Sequence, residues 1–234
     1  MIDLGRRDGR MLRIGHRGAA ALAPENTIES LRLALELGCD LVEFDVHDLD
    51  GALVLVHDRP AEPAPGLPTL DEALAFLAGT RAGVHLDLKA SGAEEAVADA
   101  LRRHGLVERT VVSSFRPDTL WALAAVEPSV RLGLTYPEDR RGLGQRQAVA
   151  PFVGPALAAM RAALPFRLSR LLAGAGASAA MLHFAVVSSA AVERCHSLGA
   201  PVLVWTVDER AWMARLDALG VDGVITNNPR IFDV

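Results

Sequence analysis

The chain has 234 residues, of which 50% are hydrophobic and 23% charged, enough to bury a sizeable core and within the range of one α/β barrel domain. Its formal net charge is -5 and no lysine or arginine block runs along any segment, so the electrostatic footprint of a nucleic-acid binder is absent.

The opening stretch Met1–Leu12 carries Arg6, Arg7 and Arg10 but lacks the apolar run and cleavage site of a signal peptide, so a cytoplasmic location is expected. From there, short runs rich in valine, leucine and isoleucine alternate with alanine-rich segments of helical period, the pattern of βα units around a parallel sheet. Strands are expected at 12–16, 41–46, 83–88, 110–114, 131–135, 180–184, 201–206 and 222–226. Helices are expected at 27–37, 69–78, 93–104, 117–125, 188–198 and 209–219. Thr27 and Thr69 stand where an N-cap hydroxyl is wanted, and Gly38, Gly105, Gly199 and Gly220 where a helix should end.

Eight strands with intervening helices predict a single (β/α)8 barrel spanning 1–234. The doubly wound alternative advertises G-x-G-x-x-G after its first strand, a place taken here by Gly15-His16-Arg17-Gly18. Two segments depart from the plain repeat. Leu53–His57 follows an Asp50-Gly51 turn and reads as a short hairpin arm after strand 2. Tyr136–Gly176 is a long fifth crossover, with Arg140, Arg141 and a greasy stretch that Pro151, Pro155, Pro165, Arg161, Arg167 and Arg170 interrupt, so that no single clean transmembrane helix is expected there. It reads either as outer helices with an irregular approach or as a lid or lipid-facing patch, with peripheral membrane contact through 148–187. Cys39 and Cys195 each sit in an apolar run and read as small buried residues rather than a disulfide or metal pair.

The chemistry gathers at strand ends. Glu43 and Asp45, two apart on strand 2, share one face, and carboxylates crowded there call for a cation between them; the alternative is a pair of surface carboxylates on an edge strand. Oxygen ligands suit one hard divalent ion, Mg2+ or Ca2+. Strand 3 repeats the alternation as His85-Leu86-Asp87-Leu88-Lys89, so Asp87 can complete the metal site and Lys89 can neutralise phosphate charge. His16 and His57 close two strand-like runs and suit the acid and base of phosphodiester cleavage. Arg17 offers a planar fork for phosphate oxygens. Trp205, at the end of strand 7, reads either as packing or as a wall of the substrate pocket. All these residues fall at the end of the barrel where such enzymes carry their sites.

Taken together, Gly15-His16-Arg17-Gly18-Ala19, Pro24-Glu25-Asn26-Thr27, Glu43-x-Asp45, Asp50-Gly51, Val56-His57-Asp58, Pro68-Thr69-Leu70, Asp87-x-Lys89, Trp205-Thr206-Val207 and 220–227 resemble the glycerophosphodiester phosphodiesterases. The motifs run in family order from near 14 to near 229. The resemblance implies a Mg2+- or Ca2+-dependent hydrolysis of glycerophosphodiesters to an alcohol and glycerol 3-phosphate. It also implies metal binding at Glu43 and Asp45, acid/base work at His16 and His57, and phosphate binding at Arg17 and Lys89. One route in that family lets a substrate hydroxyl attack its own phosphorus, giving a cyclic phosphate that water then opens.

Three features depart from the family pattern: Asp87 in place of glutamate, a turn at 48–51 one residue short, and a shortened loop at 59–67. The substrate is accordingly expected to be a small phosphodiester, with lysophospholipase D-type or sphingomyelinase D-like action on a lipid diester as the alternative. A barrel that binds phospholipid headgroups without turning them over is the competing reading.

Overall fold

The structure is a computed structural model that describes residues 1–60, 66–138 and 150–232, the side chains of 150–153 excepted. Its strands are β1 (Leu12–Gly15), β2 (Leu41–Leu49), β3 (Ala52–Leu55), β4 (Gly83–Leu88), β5 (Thr110–Ser114), β6 (Arg131–Tyr136), β7 (Ala179–His183), β8 (Val202–Trp205) and β9 (Gly223–Thr226). The helices are α1 (Ile28–Glu36), α2 (Leu70–Ala78), α3 (Glu94–Arg103), α4 (Pro117–Val126), α5 (Ala150–Ala175), α6 (Ser189–Ser197) and α7 (Ala211–Ala218).

The sheet order is β1-β9-β8-β7-β6-β5-β4-β2-β3, and β1 also pairs in parallel with β2. Eight parallel strands therefore close into a ring, the expected (β/α)8 barrel. The ninth, β3, lies outside it, paired antiparallel to the far end of β2 with Val46 opposite Leu55 and Leu49 opposite Ala52. This is the hairpin arm expected after strand 2, and its turn places Asp50 at φ 55 and Gly51 at φ 90, the two positive φ values that a two-residue hairpin loop requires. Pairing with β3 carries β2 beyond the barrel wall to Leu49, further than its apolar run reaches.

Alternation along each strand sorts the core into two layers. The outer layer lies between sheet and helices and takes Val42, Phe44, Leu86, Val112, Leu182 and Val204, among others. The inner layer fills the barrel axis with Leu12, Ile14, Leu41, Val111, Met181, Leu203 and Ile225, and Leu4 plugs the end away from the strand C-termini. Small residues make room for large ones: a Cβ on Gly133 would fall 2.4 Å from Met181 Cε, and one on Gly223 would fall 2.7 Å from Leu203 Cδ2. The lower barrel is therefore packed with hydrocarbon, and only the upper layer is left for polar side chains.

Helix ends follow the chain's punctuation. Thr27 accepts from Ser30 N, and Thr69 forms a reciprocal capping box with Glu72, while Gly38, Gly105, Gly199 and Gly220 all take positive φ. Both cysteines are buried and unpaired. The outer-helix part of the fifth crossover is one continuous helix of 26 residues, with Pro155 and Pro165 inside it. No helix among the described residues is long and apolar enough to cross a membrane. Arg140, Arg141, the start of the 148–187 stretch and the middle of the 59–67 loop lie outside the described residues.

Candidate active site

Parallel register sets the site. Glu43 stands beside His85 and Asp45 beside Asp87 across β2 and β4, and Asp87 stands beside Ser113 across β4 and β5. Because neighbouring residues in register share a face, Glu43, Asp45 and Asp87 all point to the axis. One carboxylate oxygen from each lies within 4.8 Å of the others, and all three residues are buried. Glu43 is opposed by its surroundings: burial, then Asp45 and Asp87, raise its pKa well above the ordinary value. Asp45 is opposed by burial too, but Lys89 and Arg17 outweigh that and hold its carboxyl down at about 2. Lys89 Nζ bridges Asp45 Oδ1 at 2.7 Å and Asp87 Oδ2 at 2.5 Å. Burial works against its charge, yet Asp87 and Asp45 raise its pKa.

The turn after β1 is shaped to deliver His16 and Arg17. Arg17 takes φ 48 and Asn26 φ 58, left-handed conformations that non-glycine residues adopt only when held there. What holds them is a set of local bonds: Arg17 N donates to Glu43 Oε2 at 2.7 Å, Ser30 Oγ to Arg17 O at 2.8 Å, and Asn26 N to Arg17 O at 3.1 Å. Gly18 completes the turn at φ 81, and any Cβ there would fall 2.4 Å from the Ser30 backbone. The Arg17 guanidinium bonds Glu25 at 2.8 Å and brings Nε to 3.1 Å from Asp45 Oδ2, an ion pair without hydrogen-bond alignment. Asn26, buried, clasps Asp45 twice, with Nδ2 on Oδ2 at 2.9 Å and Oδ1 on the backbone N at 3.0 Å.

The two catalytic candidates differ in environment. His16 contacts Asn227 Oδ1 through Nδ1 at 2.6 Å. Asn227 Nδ2 and N in turn donate to Asp208 at 2.6 and 2.8 Å, so the Asn227 oxygen accepts and Nδ1 of His16 carries the hydrogen. Nε2 is then the free lone pair, 4.0 Å from Glu43 Oε2. Burial, followed by the Arg17 charge, lowers the His16 pKa. His57, just beyond β3, is more open, its side chain 38% exposed and Nδ1 3.1 Å from Asp58. Its carbonyl is 3.0 Å from His47 Nε2, which ties the arm back to β2.

One cavity is lined by His16, Arg17, Glu43, Asp45, His57, Asp87, Lys89 and Trp205, so every site residue expected from sequence meets there. Phe115 and Trp205 form the opposite wall, their rings edge to face at 5.9 Å, with the indole N–H donating to Met181 O at 3.0 Å. His85 and Ser113 also line it, and sequence reasoning gave neither a role. Asn26, Asn227 and Asp208 were likewise unassigned, although Asn26 and Asn227 lie within motifs that carry the resemblance.

A hard divalent cation fits this donor set: three buried carboxylates, oxygen donors only, and a glutamate whose charge has no adequate partner.

The model of the Glycerophosphoryl diester phosphodiesterase family matches residues 16–75 and 67–231. A glycerophosphodiester phosphodiesterase of Caldanaerobacter subterraneus subsp. tengcongensis is 26% identical over 256 residues, covering 94% of this chain and 95% of that one. The crystal structure of a glycerophosphodiester phosphodiesterase from Agrobacterium tumefaciens superposes with a TM-score of 0.72 at 24% identity, covering 95% of this chain and 98% of the other. An Oleispira antarctica phosphodiesterase in complex with the product sn-glycerol-3-phosphate gives a TM-score of 0.72 at 23% identity, covering 94% and 96%.

Proposed function

This chain belongs to the glycerophosphoryl diester phosphodiesterase family, and on that premise we propose that it hydrolyses a glycerophosphodiester to an alcohol and glycerol 3-phosphate. The observation that carries this reading is convergence: buried carboxylates, two cationic side chains and two histidines line one cavity at the strand C-termini.

Glu43, Asp45 and Asp87 would hold one divalent cation, Mg2+ or Ca2+, which when bound draws charge from the phosphate oxygens. Arg17 and Lys89 grip those oxygens from two sides, the first as a planar fork and the second as a point charge. His16, held neutral by burial and carrying its hydrogen on Nδ1 toward Asn227, takes the proton of the attacking oxygen at Nε2. His57, on the more open arm, gives a proton to the departing alkoxide. Trp205 and Phe115 form the apolar wall against which the alcohol portion rests, with Trp205 fixed by its bond to Met181 O.

The test is release of glycerol 3-phosphate from glycerophosphocholine and related diesters, with and without chelator. Release should stop on chelation, return with Mg2+ or Ca2+, and fall on the order of a hundredfold or more in His16→Ala. Turnover indifferent to chelation and to Glu43→Ala would overturn the assignment.

A further inference from the structure

Helix α5 is built unlike its neighbours. The six other α-helices among the described residues have 8 to 10 residues, whereas α5 has 26, about 39 Å at 1.5 Å per residue. That is about twice what is needed to cover strands of five or six residues. Among its described side chains, only Leu164, Leu168, Leu172 and Ala175, all in its second half, are buried against the wall. The helix returns from the mouth end of β6 and leads into β7 at the other end, and it packs beside α4, α6 and the one-turn Phe184–Val186 segment just past β7. Its first half therefore flanks the active-site rim.

The outward side is a continuous stripe. Pro155, Ala159, Ala162, Phe166, Arg170 and Ala173, at helical spacing, are all exposed. Phe166 is 89% exposed, more than any other large hydrophobic among the described residues. It lines a shallow groove with Arg167, Arg170 and Leu171. The charge pattern is equally one-sided. No aspartate or glutamate occurs between Asp139 and Glu193, although the chain as a whole carries -5. Arg161, Arg167 and Arg170 are the charged residues of α5, and none forms an ion pair among the described residues.

We propose that the outward face of α5 docks the protein on an anionic lipid bilayer. Phe166 enters the headgroup boundary, Arg167 and Arg170 meet lipid phosphates, and the alanines let the helix axis lie close to the surface. Charge decides the occupant: the chain as a whole is acidic, so an anionic surface is best met where arginines without ion-pair partners gather, and attraction and orientation come from the same helix. A second copy of this acidic chain offers α5 no comparable array of phosphates.

The experiment is co-sedimentation of the full chain with phosphatidylcholine vesicles, alone and with about 30% phosphatidylglycerol, in low and high salt. Binding should require the anionic lipid and weaken with salt. Arg167→Glu with Arg170→Glu should reduce it about twentyfold or more, at roughly fivefold per basic residue, and Phe166→Ser should reduce it several-fold. Both variants should keep the wild-type thermal midpoint and the wild-type rate on a soluble diester. Equal binding to neutral and anionic vesicles, or binding unaffected by the arginine reversals, overturns the proposal. So does a concentration-dependent dimer that Phe166→Ser dissolves without any vesicle binding, which would assign the stripe to self-association.

Discussion

Ser113 stands between a buried histidine and a carboxylate and can serve only one of them as donor. Its hydroxyl donates to Asp87 Oδ1 at 2.8 Å, and His85 Nε2 lies 2.8 Å from Ser113 Oγ. Burial pushes the His85 pKa down to about 4, so the ring is neutral at pH 7 and its single hydrogen sits on Nε2, donating to Ser113. Nδ1 is buried without a partner, a cost borne while the ring supports Ser113. The outcome is an Asp87 whose Oδ1 is committed to Ser113 and whose Oδ2 meets Lys89. Ser113→Ala should therefore weaken divalent-cation affinity by about tenfold or more while barely moving the thermal midpoint. Titration with Mn2+ followed by electron paramagnetic resonance measures this directly, and an unchanged dissociation constant would exclude Ser113 from orienting the site. The first set of site residues was legible in sequence because Glu43, Asp45, Asp87 and Lys89 follow a period-two alternation at strand ends, while His16, Arg17 and His57 come directly after strand-like runs. The supporting set was not: Ser113 meets Asp87 through β4–β5 register, Asn26 meets Asp45 across 19 positions, and Asp208 reaches His16 only through Asn227. Those are properties of the closed ring rather than of any local run.

Among the elements, the turn between β1 and α1 carries the tightest backbone. Gly9 and Gly18 have nearly the same φ, 79 and 81, but a Cβ at Gly9 meets nothing within 4 Å whereas one at Gly18 lands 2.4 Å from Ser30 backbone and hydroxyl. Alanine at Gly9 should cost only the left-handed penalty, about 1 kcal/mol. At Gly18 the same change must also displace Ser30, and with it the bonds that set Arg17 and Ala19. The expected loss is about 2–4 kcal/mol, together with reduced turnover because Arg17 is re-aimed. Urea midpoints of the two variants, read beside their rates, check the contrast; equal losses would mean the turn yields more freely than its packing implies. Helix α5 shows the opposite balance of local and tertiary terms. Two internal prolines argue against a helix on propensity alone, yet burial of Leu164, Leu168, Leu172 and Ala175 against the barrel fixes the segment as helical. A reading by local preference misses this, since the wall that buries those residues is assembled from strands far away in the chain.

At the scale of the whole molecule, the N-terminal segment closes the barrel floor, and Asp40 fastens it. One carboxylate there takes Arg7 at 2.7 Å, Arg10 through two nitrogens at 2.7 and 2.8 Å, and the backbone N of Arg13 at 2.9 Å, while its own backbone bonds Arg13 and Gly83. The side chain is 5% exposed. Burial opposes its charge, but the Arg10 bonds and the Arg13 N–H outweigh that, so its pKa is lowered in the folded protein. A folded value below the unfolded one means the unfolded chain binds the proton more readily. The contribution is complete above the unfolded aspartate value of about 3.9 and fades as pH falls through the lower folded value. Because both arginines are about half exposed, screening limits the effect to about 1–2 kcal/mol at neutral pH. Asp40→Asn should lower the urea midpoint at pH 7 and flatten the acid limb, so that the wild-type and variant curves converge below about pH 3. Curves that stay parallel from pH 6 to pH 3 would show that this clasp is not what couples the N-terminal segment to the barrel under acid.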